Sequence, residues 1–185
     1  MINKLDSFYT EQNSNGNEAI KLQSIALNTP LGPMYAIADE KALYALGFSN
    51  DSLEWLSILG CIVEPRDNPL LRTLALELEA YFGGELYEFT TPYRTFGTVF
   101  QKQVWAELVK TPYGQTRSYK EEAQALGKPT AYRAVANANG KNRLAIIVPC
   151  HRIVASDGAL GGYSSGIAFK QWLLNHEKLH GGTES

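Results

Sequence analysis

Apolar and polar positions change rhythm along this chain. From Gln23 to Phe48 short apolar runs are interrupted by Pro30, Gly32, Pro33 and Gly47, a pattern that predicts short strands. Asp51 stands where it can cap a helix through Leu59, and Cys61 to Val63 reads as a brief extended piece before Pro65. The signals sharpen at Asn68. This residue is an N-cap, Pro69 suits the first turn, and Leu70, Leu71, Leu74, Leu78 and Phe82 recur at helical spacing until Gly83 and Gly84 stop the run. Strands mixed with helices make residues 1–95 a small N-terminal α/β unit, with residues 1–20 a frayed polar start and 90–97, which contain Pro92 and Gly97, a linker.

Residues 96–185 are mainly helical in pattern. Thr98 with Gln101 forms a capping box ahead of Phe100, Val104, Trp105 and Leu108. Ser118 with Glu121 repeats the device for a helix ending at Gly127, and Pro129 and Thr130 open another, Ala131 to Asn139, which Gly140 closes. Two short helices around that turn are a helix-turn-helix candidate. In the second, Ala131, Ala134, Ala136 and Ala138 are small and Arg133 is the one long cation. Small side chains let a backbone approach a nucleic-acid groove, and they equally suit tight packing against a core. Ordinary helical packing produces such pairs too, so pattern alone leaves both readings open.

Size and charge narrow the choice. A chain of 185 residues holds one ordinary domain or two small ones. Its longest apolar run, Leu144 to Val148, is far below the roughly 20 residues needed to span a bilayer, and Met1 to Thr10 lack the basic head and apolar stretch of a secretory leader. Two cysteines, Cys61 and Cys150, are too few for a disulfide framework and fit a reducing cytoplasm. The net charge of −2 hides an asymmetry: residues 1–95 hold 6 basic and 13 acidic residues, whereas residues 96–185 hold 11 and 6. A basic second half is what a phosphate backbone selects, and Lys120, Lys128, Lys141 and Arg143 surround the second helix. Chance segregation gives the same count.

The run Leu144 to Val148 reads as a buried strand that delivers Pro149, Cys150, His151 and Arg152 to a turn. A thiol attacks as thiolate, so it needs a proton acceptor and a positive potential nearby, and His151 and Arg152 are of those types. Most cysteines are small buried hydrophobes, the reading that suits Cys61 beside Ile62 and Val63. A papain-like hydrolase brings its histidine from a distant segment, which the adjacency of Cys150 and His151 disfavours. His176 and His180 lie four apart on a helical stretch without an evident third metal ligand, so no metal and no cofactor are expected.

Val148 to Ile153, VPCHRI, resembles the active-site signature of the O6-alkylguanine-DNA alkyltransferases, the methylated-DNA protein-cysteine methyltransferases. The resemblance continues through Phe100–Trp105, Pro112–Tyr119, Tyr132–Val135, Asn142 and Gly161–Glu177. It implies a ribonuclease-H-like α/β N-terminal domain followed by a mainly helical domain with a helix-turn-helix. It implies stoichiometric, irreversible transfer of an alkyl group from O6-alkylguanine, and from O4-alkylthymine, in duplex DNA to Cys150, with the base flipped from the minor groove. His151 would be the base acting through a water, Glu177 its orienting carboxylate, Asn142 the brace of the turn, and Tyr119 the hydroxyl offered to the leaving guanine. Arg133 would fill the gap in the base stack, with Ala134, Ala131, Ser118, Tyr119 and Lys128 on the DNA. Tyr163, Ser164, Val148, Gly161 and Lys170 would form or adjoin the lesion pocket. Arg143 departs from the proline that many members carry after the asparagine. A non-catalytic lesion sensor is a further possibility that the cysteine disfavours. The expected protein is a monomer, cooperative on DNA, cytoplasmic and nucleoid-associated.

Overall fold

The computed structural model describes residues 20–49 and 61–181; the frayed start and the helix expected after Asp51 lie outside the described residues. Strands β1 (Lys21–Thr29), β2 (Gly32–Ala38), β3 (Leu43–Gly47) and β4 (Ile62–Pro65) form a sheet in the order β3-β2-β1-β4. Its first three strands run antiparallel and β4 joins β1 in parallel. Helix α1 (Pro69–Phe82) crosses the sheet. Its cap is the anticipated one: Asn68 Oδ1 accepts from Leu71 N at 2.8 Å, while Asn68 Nδ2 donates to Gln23 and to the Asp39 carbonyl, so the capping residue also pins the helix to the strands. Leu70, Leu71, Leu74, Leu78 and Tyr81 are buried. At about 1.5–3 kcal/mol for each large apolar side chain, that face holds the helix down.

The second half contains α2 (Val99–Leu108), the short strand β5 (Arg117–Ser118), α3 (Tyr119–Ala125), α4 (Tyr132–Asn139), a 3-10 turn (Cys150–Arg152), β6 (Ile153–Val154) and α5 (Ile167–His180). Both capping boxes form as expected, at Thr98 with Gln101 and at Ser118 with Glu121. Helices α3 and α4 are the helix-turn-helix, and Trp105 Nε1 of α2 donates to the Ala138 carbonyl of α4 at 2.9 Å. One large core runs from the sheet and α1 into α2, α4 and the segment before Cys150. Cys61 is buried in a smaller cluster with Leu22, Ile37 and Tyr44, as a core residue. Among the described residues no helix is long and apolar enough to cross a membrane.

The exposed edge of β3 is covered, which matters for the site. Leu43 exchanges hydrogen bonds with Pro92 and Arg94, and Leu46 does so with Arg143 and Ala145. The 90–97 stretch is thus held against the sheet, and Glu77 on α1 reinforces it by accepting from the backbone and hydroxyl groups of Thr90 and Thr91. The segment entering the Cys150 turn is anchored on the same edge.

Candidate active site

Leu144 to Val148 is not the expected strand. Only Leu144 pairs with the sheet; beyond it the chain turns twice. The Ile147 N–H donates to the Ala145 carbonyl, a three-residue turn that forces Ile146 to φ 72°, the only positive φ outside glycine among the described residues. A β-branched side chain is strained there, and its burial in the core holds it. The Cys150 N–H then donates to the Val148 carbonyl around Pro149 at φ −83° and ψ 60°, an inverse γ-turn that leads into the 3-10 turn. Asn142 ties the knot. Its Nδ2 donates to the Val148 carbonyl at 2.7 Å and to Cys150 Sγ at 3.2 Å, and its Oδ1 accepts from Leu144 N at 3.0 Å.

Behind the thiol lies a buried network centred on Glu177 of α5. Its Oε1 accepts from His151 Nε2 at 2.8 Å, Tyr81 Oη at 2.8 Å and an Arg152 guanidinium nitrogen at 3.0 Å. Its Oε2 accepts from Arg152 Nε at 2.9 Å and Gly114 N at 3.1 Å. Burial opposes the carboxylate charge, but His151 and Arg152 overcome it and hold the group well below the ordinary range. Burial pushes the His151 imidazole down despite Glu177, and pushes the Cys150 thiol up despite Asn142 and Lys170. The resting site is therefore a neutral thiol and a neutral imidazole before an ionised carboxylate. Facing a carboxylate, Nε2 carries the proton, which leaves Nδ1 as the basic nitrogen. Nδ1 is buried and has no protein partner.

Two cations change roles. Arg152 donates to Glu177 and to the Thr111 carbonyl, so it balances the carboxylate instead of facing the thiol. The field that favours a thiolate comes from Lys170, whose buried ammonium donates to the Ile153 and Leu160 carbonyls and is lowered to about 8 by burial.

Cys150 opens on a cavity of about 280 Å3, close to the roughly 300 Å3 lower end for small-ligand sites. Tyr119, Ala136 and Gly140 line it on the helix-turn-helix side, and Tyr163 and Ser164 on the other. Three of the anticipated pocket residues stand behind that lining. Val148 is wholly buried and gives its carbonyl to Asn142; Gly161 packs against Tyr119; Lys170 holds the 153–160 loop through its carbonyl bonds. Gly161 adopts φ +67°, and a Cβ there would meet the Tyr119 hydroxyl at 2.9 Å, so only glycine lets the tyrosine keep its place. The residues expected on DNA lie on the outer side of the helix pair. Arg133, Ala134 and Lys128 are exposed and Ala131 partly so, while the Ser118 hydroxyl is engaged with Glu121 in the cap. The Arg133 guanidinium rests 5.7 Å from the Tyr132 ring centroid.

Tyr81 is the residue that sequence reasoning misses. It sits on α1, 96 positions from Glu177, and is not among the apolar positions whose spacing predicts that helix. Tyr81→Phe deletes one donor to a buried charge, so stability is expected to fall by about 1.5–3 kcal/mol; a urea midpoint unchanged from the native chain would refute that role. His176 and His180 direct ring nitrogens at the carbonyls of Tyr81 and His176, and no group of three potential metal ligands occurs among the described residues.

Comparison with known proteins agrees along the chain. Residues 99–179 match the family model for the 6-O-methylguanine DNA methyltransferase DNA binding domain, and residues 24–95 that for its ribonuclease-like domain. The methylated-DNA–protein-cysteine methyltransferase of Methanosarcina barkeri is 44% identical over 152 residues, covering 82% of this chain and 94% of that one. The constitutive enzyme of Bacillus subtilis is 39% identical over 153 residues, with 82% and 92% covered. Among solved structures, the Mycobacterium tuberculosis O6-methylguanine methyltransferase superposes with a TM-score of 0.75 at 36% identity, covering 88% of this chain and 96% of its own. The crystal structure of Mycobacterium tuberculosis OGT in complex with DNA gives a TM-score of 0.74 at 38% identity, with 87% and 94% covered. A ribonuclease-like first half, a DNA-binding second half and a cysteine poised at a cavity together make this chain a member of the methylated-DNA–protein-cysteine methyltransferase family.

Proposed function

We propose that the protein repairs DNA directly by moving the alkyl group of O6-alkylguanine, and of O4-alkylthymine, onto Cys150 Sγ, once per molecule. The observation that carries this reading is the juxtaposition of that sulfur with a base-sized cavity in front and the His151–Glu177 pair behind. The thiol proton passes through a water to His151 Nδ1. Sulfur then forms a bond to the alkyl carbon as the carbon–O6 bond breaks, and that electron pair returns to the guanine, which takes a proton from the Tyr119 hydroxyl; the His151 imidazolium afterwards returns its proton through water to the tyrosinate. The imidazolium is stabilised by Glu177, and Asn142 steadies the thiolate as it forms. The product is a thioether, a poor leaving group, so no step regenerates the cysteine. The lesion supplies the alkyl group, and no cofactor is required.

Alkylated guanine in a duplex is out of reach until the base leaves the stack, at a cost of a few kcal/mol. In this reading α4 enters the minor groove with its small alanines inward, Arg133 fills the gap, Lys128 meets phosphate, and the base swings between α4 and the Gly162–Ser164 loop, where Ser164 donates toward the lesion oxygen. Residues 1–95 act as a scaffold for residues 96–185. The protein works as a monomer that assembles cooperatively along duplex DNA, in the cytoplasm at the nucleoid.

With excess O6-methylguanine duplex, repaired lesions are expected to plateau at one per chain, and continued turnover would overturn the mechanism. Arg133→Ala is expected to slow repair of duplex by about tenfold or more, while reaction with free O6-benzylguanine changes less than twofold, because the free base needs no extrusion. Equal losses on both substrates would remove the assignment of Arg133.

A further inference from the structure

The two helices of the DNA-reading pair are joined through an interaction that the transfer chemistry does not use. Glu122 on α3 is fully buried, and its Oε2 accepts from Asn139 Nδ2 on α4 at 2.9 Å. The other oxygen of each group, Glu122 Oε1 and Asn139 Oδ1, is a buried acceptor with no donor. Two orphaned acceptors on one hydrogen-bonded pair are costly, and a single proton satisfies both. A carboxylic acid and a carboxamide close a ring of two opposed hydrogen bonds; a carboxylate and a carboxamide make only one. We propose that Glu122 is held as a neutral acid whose Oε1–H donates to Asn139 Oδ1, and that this acid–amide pair positions the reading helix and the Asn139 wall of the Cys150 cavity.

The surroundings agree. Burial is the largest influence on Glu122 and, with the charge of Glu107 on α2, disfavours ionisation. Asn139 and Arg117 on β5 favour it, but Arg117 is already paired with Glu107 at 3.1 Å. The balance lifts the carboxyl to about 7. Cys150 and Tyr119 also lie within its field, and a charged Glu122 would push both of them up. A neutral Glu122 therefore spares the thiolate a negative neighbour. Because the native carboxyl titrates above its unfolded value, the folded state binds the extra proton in between, and stability from this pair falls as pH rises toward about 7.

The kinetic part rests on the transfer reaction proposed above; the protonation part does not. The test uses the full chain, native, Glu122→Gln and Glu122→Ala, with two measurements across pH 6 to 8. One is carbon-detected magnetic resonance of the Glu122 carboxyl in the native chain; the other is the single-turnover rate on an O6-methylguanine duplex. Glutamine reproduces both hydrogen bonds at every pH. We expect a protonated carboxyl at pH 6 that titrates near neutrality. The glutamine variant should match the native rate within about twofold at pH 6 and exceed it roughly tenfold at pH 8, where about a tenth of native molecules keep the proton. The alanine variant should be slow throughout. A carboxyl ionised across the whole range overturns the inference, as do native and glutamine rates that run parallel with pH. Should no chain accept a methyl group, the transfer reading fails while the resonance titration still decides the state of Glu122.

Discussion

Glu177→Ala is expected to lower stability by about 3–5 kcal/mol, a fall in melting temperature of roughly 10 °C or more for a chain of this size. The cause is the set of groups left behind. The Arg152 guanidinium loses its countercharge in a buried site, and the donors on His151, Tyr81 and Gly114 lose their acceptor. The Gly114 N–H is available to Glu177 because the residue adopts φ +73°, where a side chain would be strained and crowded against the Glu177 carbonyl at 3.2 Å. The effect has a defined pH sign. The native carboxyl lies below its unfolded value, so its stabilisation is complete above the ordinary carboxylate range and disappears as pH falls through the native one. The gap between native and variant melting temperatures should close on acidification; a gap that persists or widens would contradict the ion-pair account. Glu177→Gln keeps the shape but loses the charge that stabilises an imidazolium, and transfer should slow by about 10²-fold or more.

Cys150→Ser is expected to abolish transfer while stability shifts by no more than about 1 kcal/mol. The serine hydroxyl retains the Asn142 donor at nearly the same position, but it is a far weaker acid than the thiol and does not yield its proton to His151 for the attack. Binding of lesion duplex should survive, because Arg133 on α4 and Lys128 in the turn before it are exposed and take no part in the network. A variant that binds and still accepts a methyl group would remove Cys150 from the reaction. Loss of binding together with transfer would show that the substitution disturbs more than the nucleophile.

Features set by near neighbours along the chain are legible in the amino-acid sequence itself. Asn68 with Pro69, Thr98 with Gln101, and Ser118 with Glu121 are local devices, and each helix starts where its cap stands. The family resemblance also points to the residues gathered around the cavity: Cys150, Tyr119, Tyr163 and Ser164 line it, with Asn142, His151 and Glu177 behind the sulfur. Leu144 to Val148 departs from its strand-like pattern for a physical reason. A run of buried aliphatic residues looks the same whether the backbone is extended or folded on itself, and here the side chain of Asn142 imposes the turns by bonding to the Val148 carbonyl. Arg152 reads as an aid to the thiol because it stands two residues away; only the fold reveals that it turns to Glu177, leaving the charge of Lys170 to act on the sulfur. Tyr81 and Glu122 act across 96 and 17 positions, through contacts that no periodicity encodes.

The central claim is that sulfur at position 150 takes a carbon from a damaged base and retains it. Exposure of the full chain to a duplex containing one O6-methylguanine, followed by proteolysis and mass measurement, tests it directly. The account predicts one added methyl mass on the peptide containing Cys150 and none on that containing Cys61. An unmodified Cys150 peptide after the lesion has been repaired, or a methyl group on Cys61, would contradict it.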